Sequence, residues 1–486
     1  MKKKSANVKT RLAKTAAPET FWTLARVLLA TGGHLLSGKA EGVFQNISTD
    51  TRNVQAGDLF VALCGEKFDG HDFLVEAVRN GAAGILVSRR PEKEMSAVPV
   101  VKVQDTLIAL GDLTNYKRMK MKQVRVIAIT GSCGKTTVKE MTASILGLKY
   151  NILKTKGNFN NLVGLPLSLL PVEGHHDFAV MEMGMNHPGE IARLTEIADP
   201  DIACITNVQA AHLEGVGSIE GVAKAKGELF AGIRSSGTLV VNYDDKRVRE
   251  LASSCRQRKI HFGRSVHADV RALRLSSLGE RGMAFTLAIG KQSDRVRIQS
   301  LGSHNVSNAL AAAGIAHAAG VKFADIVTGL ENFRPADKRL QVQEIRGGIK
   351  LVNDAYNANP SSMVAALETL QRMDRTHQKI AILGDMFELG EQSVVAHRSV
   401  GEAAAKLKFD YVLAVGEFAK TVVESARRGG IEKGRALSFA GKEELTKWLC
   451  AEIDKGVIRK GDWLLLKGSR GMRMETVMQA LLEKKD

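Results

Sequence analysis

The chain has 486 residues, 44% hydrophobic and 25% charged, which is too long for one core and suggests about three domains. No apolar run approaches a membrane span, and the five cysteines (Cys64, Cys133, Cys204, Cys255, Cys450) form no C-x-x-C pair, so disulfide and zinc frameworks are set aside and a reducing cytoplasm fits. The net charge of +17 raises a nucleic-acid partner, but the basic residues are scattered and only 5% of the chain is aromatic, so a surface that draws in polyanionic small substrates explains the charge as well.

Residues 1–20 begin Met1-Lys2-Lys3-Lys4 and hold no apolar run fit for secretion; they read as a basic flexible tail. Residues 21–120 read as a small α/β domain. Ser48, Asp50 and Arg52 lead into an apolar strand over 57–63. Asp69-Gly70-His71-Asp72, taken alone, is a capped turn opening a helix over 73–81, and further strands are predicted over 84–88 and 98–103.

Residues 121–336 read as a nucleotide-binding domain. A β-branched apolar run over 124–130 predicts a buried strand, and apolar residues at helical spacing over 138–146 predict a helix. Between them lies Gly131-Ser132-Cys133-Gly134-Lys135-Thr136-Thr137. Strand, glycine-rich turn and helix are the context of a phosphate loop. Backbone N–H groups face the anion, Lys135 reaches its outer phosphates and the Thr136 hydroxyl can ligate Mg²⁺. Ile129 stands at the place of the first glycine of the full G-x-x-x-x-G-K-[ST] pattern, so this is the short form of the loop.

Downstream, Asn158, Asn160 and Asn161 crowd a glycine-flanked loop that can grip a ligand. The strand over 177–182 ends on Glu182, a carboxylate placed where Mg²⁺ is commonly held beside a phosphate loop. The strand over 201–207 is followed by His212 in the same layout, a ligand candidate; Lys224 and Lys226 on the next helix read, by themselves, as a solvated face. Another strand is predicted over 237–242, and alternation such as Val296-Arg297-Ile298-Gln299 suggests antiparallel strands over 255–300. A helix then opens on His304, Asn305 and Asn308, with small residues that allow close packing.

Residues 337–486, entered through Lys338 and Arg339, return to strand-helix-strand. Strands are predicted over 350–354, 379–384, 411–416 and 463–467, with Asp354, Tyr356, Asn357 and Asn359 in the turn after the first and Lys467, Ser469 and Arg470 at the end of the last. Their alternation with helices implies a parallel sheet with a crevice at the strand ends.

In that order, the short phosphate loop, the Gly157-Asn158-x-Asn160-Asn161 segment, Glu182, Ala211-His212-Leu213, Ala225-Lys226-Gly227 and His304-Asn305-x-x-Asn308 resemble the Mur ligases, ATP-dependent amide ligases that build the peptidoglycan stem peptide. The resemblance covers nearly everything after about residue 20. Ser48 to Arg52, Ser132 to Glu140 and Asp354 to Pro360 are most similar to the family member that adds the terminal dipeptide. Cys133 replaces the Asn or Ser more usual in the loop, and a small thiol there leaves the backbone cradle intact.

The resemblance implies an α/β chain of three domains: an N-terminal UDP-sugar-binding domain, a central ATP-binding domain with a mostly parallel sheet, and a C-terminal Rossmann-like domain that closes on ATP. It implies transfer of the ATP γ-phosphoryl group to the free carboxylate of UDP-N-acetylmuramoyl-tripeptide. The amine of D-alanyl-D-alanine then attacks the acyl phosphate. Lys135 is expected to hold the β- and γ-phosphates, Thr136 and Glu182 one Mg²⁺, and His212 a second. Lys226 is expected to carry a CO₂-derived carbamate that binds or positions the second ion. Asn305 and Asn308 are expected near adenine, Arg339 at the γ-phosphate, and Asp354 and Tyr356 beside the nucleotide. Ser48, Asp50, Arg52, Asp69 and His71 are expected to line the UDP pocket, Asn158, Asn160 and Asn161 to face the sugar-peptide, and Lys467, Ser469 and Arg470 to meet the dipeptide. A cytoplasmic monomer without nucleic acid or membrane span is expected.

The alternatives are another amide ligase of the superfamily (the third-residue ligase or folylpolyglutamate synthase), a nucleic-acid-stimulated P-loop ATPase, and a scaffold with a dead nucleotide fold. Intact Lys135, Glu182 and His212 argue against the last.

Overall fold

Strand Arg125–Thr130 shows why the central sheet forms where it does. Val126 and Ala128 point to one face and Ile127 and Ile129 to the other, and all four are fully buried, as in a parallel strand covered on both sides. In the computed structural model, which describes residues 20–93, 95–211, 213–335, 338–373 and 376–483, this strand sits inside a nine-stranded sheet. The basic tail up to residue 19 and His212 lie outside the described residues.

The described residues fall into two units, divided between Tyr116 and Lys117. In the first, Ile47–Ser48, Leu59–Val61, Gly84–Val87 and Val100–Lys102 pair in parallel, and His34–Ser37 closes the sheet antiparallel to Val100–Lys102. Helix Leu74–Arg79 buries Leu74 and Ala77 among Phe60, Ile85 and Val87. A separate ribbon pairs Trp22–Thr23 with Val43–Phe44, and the Thr23 hydroxyl caps the helix Leu24–Thr31.

The second unit holds two sheets. In the nine-stranded one, Arg125–Thr130 lies between Phe178–Glu182 and Ile202–Ile205. The chain first winds outward to the edge strand Ile152–Lys154, then returns past its starting strand in the other direction. Connections leaving in opposite directions open a crevice beyond the carboxyl ends of these strands. Antiparallel pairing was expected over 255–300; it is confined to Val270–Ser277, Met283–Ile289 and Gln292–Ile298. Arg258–Gly263 instead continues the parallel sheet, because the helix Lys246–Ser253 supplies the crossover from Thr238–Asn242 that parallel pairing requires.

Two apolar layers flank this sheet. One joins Ile127 and Ile129 to Val138, Met141 and the helix Ser303–Ala318; the other joins Val126 and Ala128 to Leu194, Val222 and Leu229. The alanines of Ser303–Ala318 let it lie flat on the sheet: a Cβ added at Gly314 would stand 3.0 Å from Val240 Cγ1. The second sheet runs Gln341–Ile345, Ile349–Asp354, Trp463–Lys467, Lys379–Leu383, Tyr411–Val415 and Ala436–Phe439, parallel except for the first pair. Among the described residues no helix is long and apolar enough to cross a membrane.

Candidate active site

The phosphate loop follows Arg125–Thr130 and ends in the helix Lys135–Leu146. Gly131 and Gly134 both have positive φ, +148° and +85°. A Cβ on Gly131 would stand 1.9 Å from Thr206 Oγ1, and one on Gly134 2.2 Å from Asn308 Oδ1, so both positions exclude side chains on two counts. The loop is pinned from the neighbouring strand end. Ser132 N–H donates to Asn207 O (3.0 Å), Cys133 N–H to Asn207 Oδ1 (2.9 Å), and the Thr206 hydroxyl to Cys133 O (2.6 Å). The first helical bond runs from Val138 N–H to Gly134 O (2.9 Å), so the N–H groups of Lys135, Thr136 and Thr137 open the helix without intrahelical acceptors. That is the geometry of an anion cradle.

Gly131→Ala is accordingly expected to abolish ATP-dependent turnover and to cost on the order of 3 kcal/mol of stability, from left-handed strain plus overlap with Thr206. A thermal melt of the variant checks this, and an unchanged melting temperature contradicts it.

Lys135 Nζ donates to Gly131 O at 2.7 Å. Burial holds its pKa below the usual lysine value against the attraction of Glu182, and the like charge of Arg339 adds to the lowering. An arriving polyphosphate supplies the missing counter-charge. Thr136 donates its hydroxyl to Glu182 Oε2 (2.9 Å), while Arg339 Nη2 donates to Thr136 Oγ1 (2.9 Å). Glu182, 2% exposed, also accepts from Asn160 Nδ2 at 2.8 Å. Buried Lys139, on the loop helix and not singled out by its place in the sequence, has Nζ 2.9 Å from Thr155 O and 3.9 Å from Glu182 Oε2. Asn160 and Lys139 therefore hold and partly neutralise the carboxylate. Asn161 Oδ1 accepts Gly164 N–H (2.8 Å) just before the helix Gly164–Leu169, and Asn158 lines the cavity nearby.

A cavity of about 940 Å³ opens over the loop, with walls from both sheets of the second unit. Asn305 and Asn308 reach it from Ser303–Ala318, but their amides are committed: Asn305 Nδ2 donates to Leu301 O (2.7 Å) and Asn308 Nδ2 to Asn305 Oδ1 (2.8 Å), which backs Asn308 against Gly134. Neighbouring His304 has its pKa pushed down to about 4 by burial, against the pull of Asp354, so it is neutral at pH 7. From the second sheet, the Arg339 guanidinium lies 4.0 Å from the Tyr356 ring centroid, and the carboxylate of Asp354 pairs with Lys467. Cys133 Sγ accepts from Asn359 Nδ2 at 3.2 Å, so the loop's thiol meets the second sheet's turn.

The three residues expected at the dipeptide are placed unequally. Lys467 is buried, donating also to Asn357 O (2.9 Å); Ser469 is buried and accepts Phe387 N–H (2.8 Å); Arg470 is exposed, lines the cavity and donates to Glu475 at 3.0 Å. Lys226 is not on a solvated face. It is 1% exposed and makes no hydrogen bond or ion pair among the described residues, whereas Lys224 is exposed. Burial and the like charge of Lys135 drive the Lys226 pKa well below its ordinary value.

In the first unit, Asp50 grips Arg52 through Nε (2.9 Å) and Nη2 (2.7 Å), which lowers the Asp50 pKa, and the Ser48 hydroxyl donates to Asp50 O. Arg52 projects into solvent. His71 Nε2 accepts Ser88 N–H (3.0 Å), which leaves the Nδ1 proton for Asp69 at 2.6 Å. Burial works against the Asp69 carboxylate, but the His71 bonds and Arg89 outweigh it and lower its pKa. Both residues thus buttress the turn.

Three family models match the chain: the Mur ligase family catalytic domain over residues 43–118, the Mur ligase middle domain over 129–316, and the Mur ligase glutamate ligase domain over 338–470. The chain is 39% identical over 455 residues to the UDP-N-acetylmuramoyl-tripeptide–D-alanyl-D-alanine ligase of Escherichia coli strain K12, covering 92% of this chain and 97% of that one. Its fold is similar to a crystal structure of MurF from Acinetobacter baumannii (TM-score 0.87, 36% identity, 95% of this chain and 99% of that one). It is also similar to MurF from Thermotoga maritima in complex with ADP (TM-score 0.80, 29% identity, 90% and 97%).

Proposed function

The chain belongs to the Mur ligase family, and from that premise we propose that it is the ligase that joins D-alanyl-D-alanine to UDP-N-acetylmuramoyl-tripeptide. ATP is consumed, and UDP-N-acetylmuramoyl-pentapeptide, ADP and phosphate are the products. The observation that carries this reading is the convergence of loop, Glu182 and Arg339 in one cavity of a chain similar over its length to D-alanyl-D-alanine ligases.

A carboxylate is a poor electrophile, and phosphorylation gives it a leaving group. The reaction brings two anions together, so positive groups must gather where they meet. Lys135 and the first N–H groups of its helix cradle the β- and γ-phosphates, and Arg339 approaches the γ-phosphate from the second sheet. Transfer of the γ-phosphoryl group to the tripeptide carboxylate releases ADP. The dipeptide amine then attacks the acyl carbon and phosphate departs. Thr136 Oγ1 and Glu182 Oε2 are hard oxygen donors 2.9 Å apart, a set that suits Mg²⁺. Held there, Mg²⁺ would supply charge neutralisation on the phosphates. By the family resemblance, His212 would serve a second ion, and Lys226, were it carbamylated by CO₂, would bind or position it.

Asn158 faces the sugar-peptide, while Asn160 acts through Glu182. Asn305, Asn308, Asp354 and Tyr356 shape the nucleotide's walls. Ser48, Asp50, Arg52, Asp69 and His71 form the UDP pocket, the last two by holding its turn. A monomer is the working unit in this reading, and the odd number of cysteines, all free, supports a cytoplasmic location.

Phosphate release is expected only with ATP, UDP-N-acetylmuramoyl-tripeptide and D-alanyl-D-alanine together. Equal release with meso-diaminopimelate or glutamate in place of the dipeptide would move the protein to another ligase of the superfamily. Turnover driven by DNA or RNA alone would overturn the ligase reading.

A further inference from the structure

The residues on either side of Arg339, Lys338 and Leu340, hold φ at +61° and +50°. Residues with a Cβ rarely enter this left-handed region, and they stay there only where the surroundings hold them. Between the two, Arg339 reaches across from the second sheet and donates Nη2 to Thr136 Oγ1 at 2.9 Å. The Tyr356 ring, 4.0 Å from the guanidinium, steadies the far end of the side chain.

The backbone end is held from the second sheet. The Lys338 ammonium pairs with Glu475 Oε1 at 2.7 Å, the Lys338 carbonyl accepts Tyr356 N–H at 3.3 Å, and Leu340 N–H donates to Asp354 Oδ1 at 3.2 Å. The two bonds to backbone groups are long; the ion pair is the short contact of the three. Glu475 opens the helix Glu475–Glu483 and is 8% exposed. Burial works against its carboxylate, but the Lys338 bond, its own backbone N–H and the nearby Arg470 outweigh burial and lower its pKa. Oε1 serves both cations, with Arg470 Nη1 at 3.0 Å, while Oε2 is buried without a hydrogen-bond partner among the described residues. A buried, half-matched carboxylate is costly, and what it holds here is the strained backbone beside Arg339. Arg339 and Leu340 line the ATP cavity; Lys338 and Glu475 are not among its described lining residues.

Resting on the ligase reading above, we propose that Glu475 is a positioning residue for phosphoryl transfer: through Lys338 it clamps the left-handed segment 338–340 and so fixes the Arg339 guanidinium over the phosphate loop. It touches neither ATP nor the peptide and acts through Arg339. A cation that stabilises a transferring phosphoryl group works by being in place beforehand, so a loosened arm costs turnover more than substrate affinity.

Steady-state and single-turnover ADP formation test this. Glu475→Gln keeps the shape and removes the charge; it is expected to lower kcat about tenfold or more, with the KM values for the dipeptide and the UDP-tripeptide moving less than about threefold. Lys338→Met should match it, because losing either partner opens the same clamp. In Arg339→Ala, where the arm carries no cation, adding Glu475→Gln should slow single-turnover ADP formation by less than about twofold. Lys338→Gly guards against misfolding: glycine accepts the left-handed backbone, so the melting temperature should stay within about 3 °C of the unaltered protein while kcat falls as in Lys338→Met. An unchanged kcat in both Glu475→Gln and Lys338→Gly overturns the clamp. So does an undiminished effect of Glu475→Gln in the Arg339→Ala background, or a defect confined to the dipeptide KM, which would run through Arg470 instead. If the unaltered protein releases no dipeptide-dependent phosphate, the ligase reading itself falls, and the clamp with it.

Discussion

Lys135→Met is expected to lower ligation by about a thousandfold or more while the fold persists. The magnitude follows from the chemistry, since a cation placed on a transferring phosphoryl group is worth about 10³–10⁵ in rate. Among the described residues, Lys135 is the lysine at the start of the loop helix, with its Nζ 2.7 Å from Gly131 O. Met keeps the length of the stem and removes only the charge. Stability should hold or rise, because burial, opposed by Glu182 and aided by Arg339, lowers the Lys135 pKa in the fold. A lysine with a depressed folded pKa weighs fully against the fold below that value, and the deficit fades as pH rises toward the unfolded value near 10.4. Removing the charge removes the deficit. ADP release and pentapeptide formation, measured beside a thermal melt, check both halves. Undiminished ligation in Lys135→Met would refute the phosphate-loop assignment.

Lys226→Ala is expected to lose about a hundredfold or more of the activity, and short carboxylates such as acetate to restore part of it. A free ammonium beside a bound cation would be repelled; a carbamate reverses that sign. Its formation joins the lysine amine to CO₂ and releases one proton, so the amine must be neutral first. Burial and the like charge of Lys135 favour that form. The side chain also makes no ion pair or hydrogen bond among the described residues that would compete for the nitrogen. Full activity of Lys226→Ala, or a defect untouched by added carboxylate, would remove the carbamate from the mechanism. Depleting CO₂ should slow the unaltered protein and leave Lys226→Ala unaffected.

These two lysines were not equally visible in the sequence. Lys135 was legible because its context is local. A β-branched strand, two glycines and a helical period surround it within about twenty residues, and the glycines answer backbone demands, positive φ and close approach, that no other residue meets. Lys226 was not. It stands two residues from Lys224, and side chains two apart leave a helix in nearly opposite directions, so one lysine is solvated and its neighbour buried. Spacing alone cannot say which. Only the family resemblance pointed to Lys226.

Lys139 gives the same lesson more sharply. It looks like any charged residue on an amphipathic helix, yet it is 1% exposed and bound to Thr155 O. Asn160 belonged to a visible loop, but its partner Glu182 comes from the neighbouring strand. Cys133, read as a harmless change in the loop, meets Asn359, 226 residues away. The antiparallel expectation over 255–300 went too far at Arg258–Gly263, because alternation records which faces are buried and not which way the adjacent strand runs.

Residue order alone was enough for the strand-loop-helix, the alternating α/β plan and the place of Glu182 at a strand end, since each depends on dihedral and burial constraints carried by near neighbours. The lowering of the Lys135 and Lys226 pKa values, the restraint on Glu182, and the joining of Thr136 to Arg339 were decided only when the chain folded. Electrostatic environment is a property of distance in space, and some of the groups that create it here lie more than two hundred residues apart in the chain.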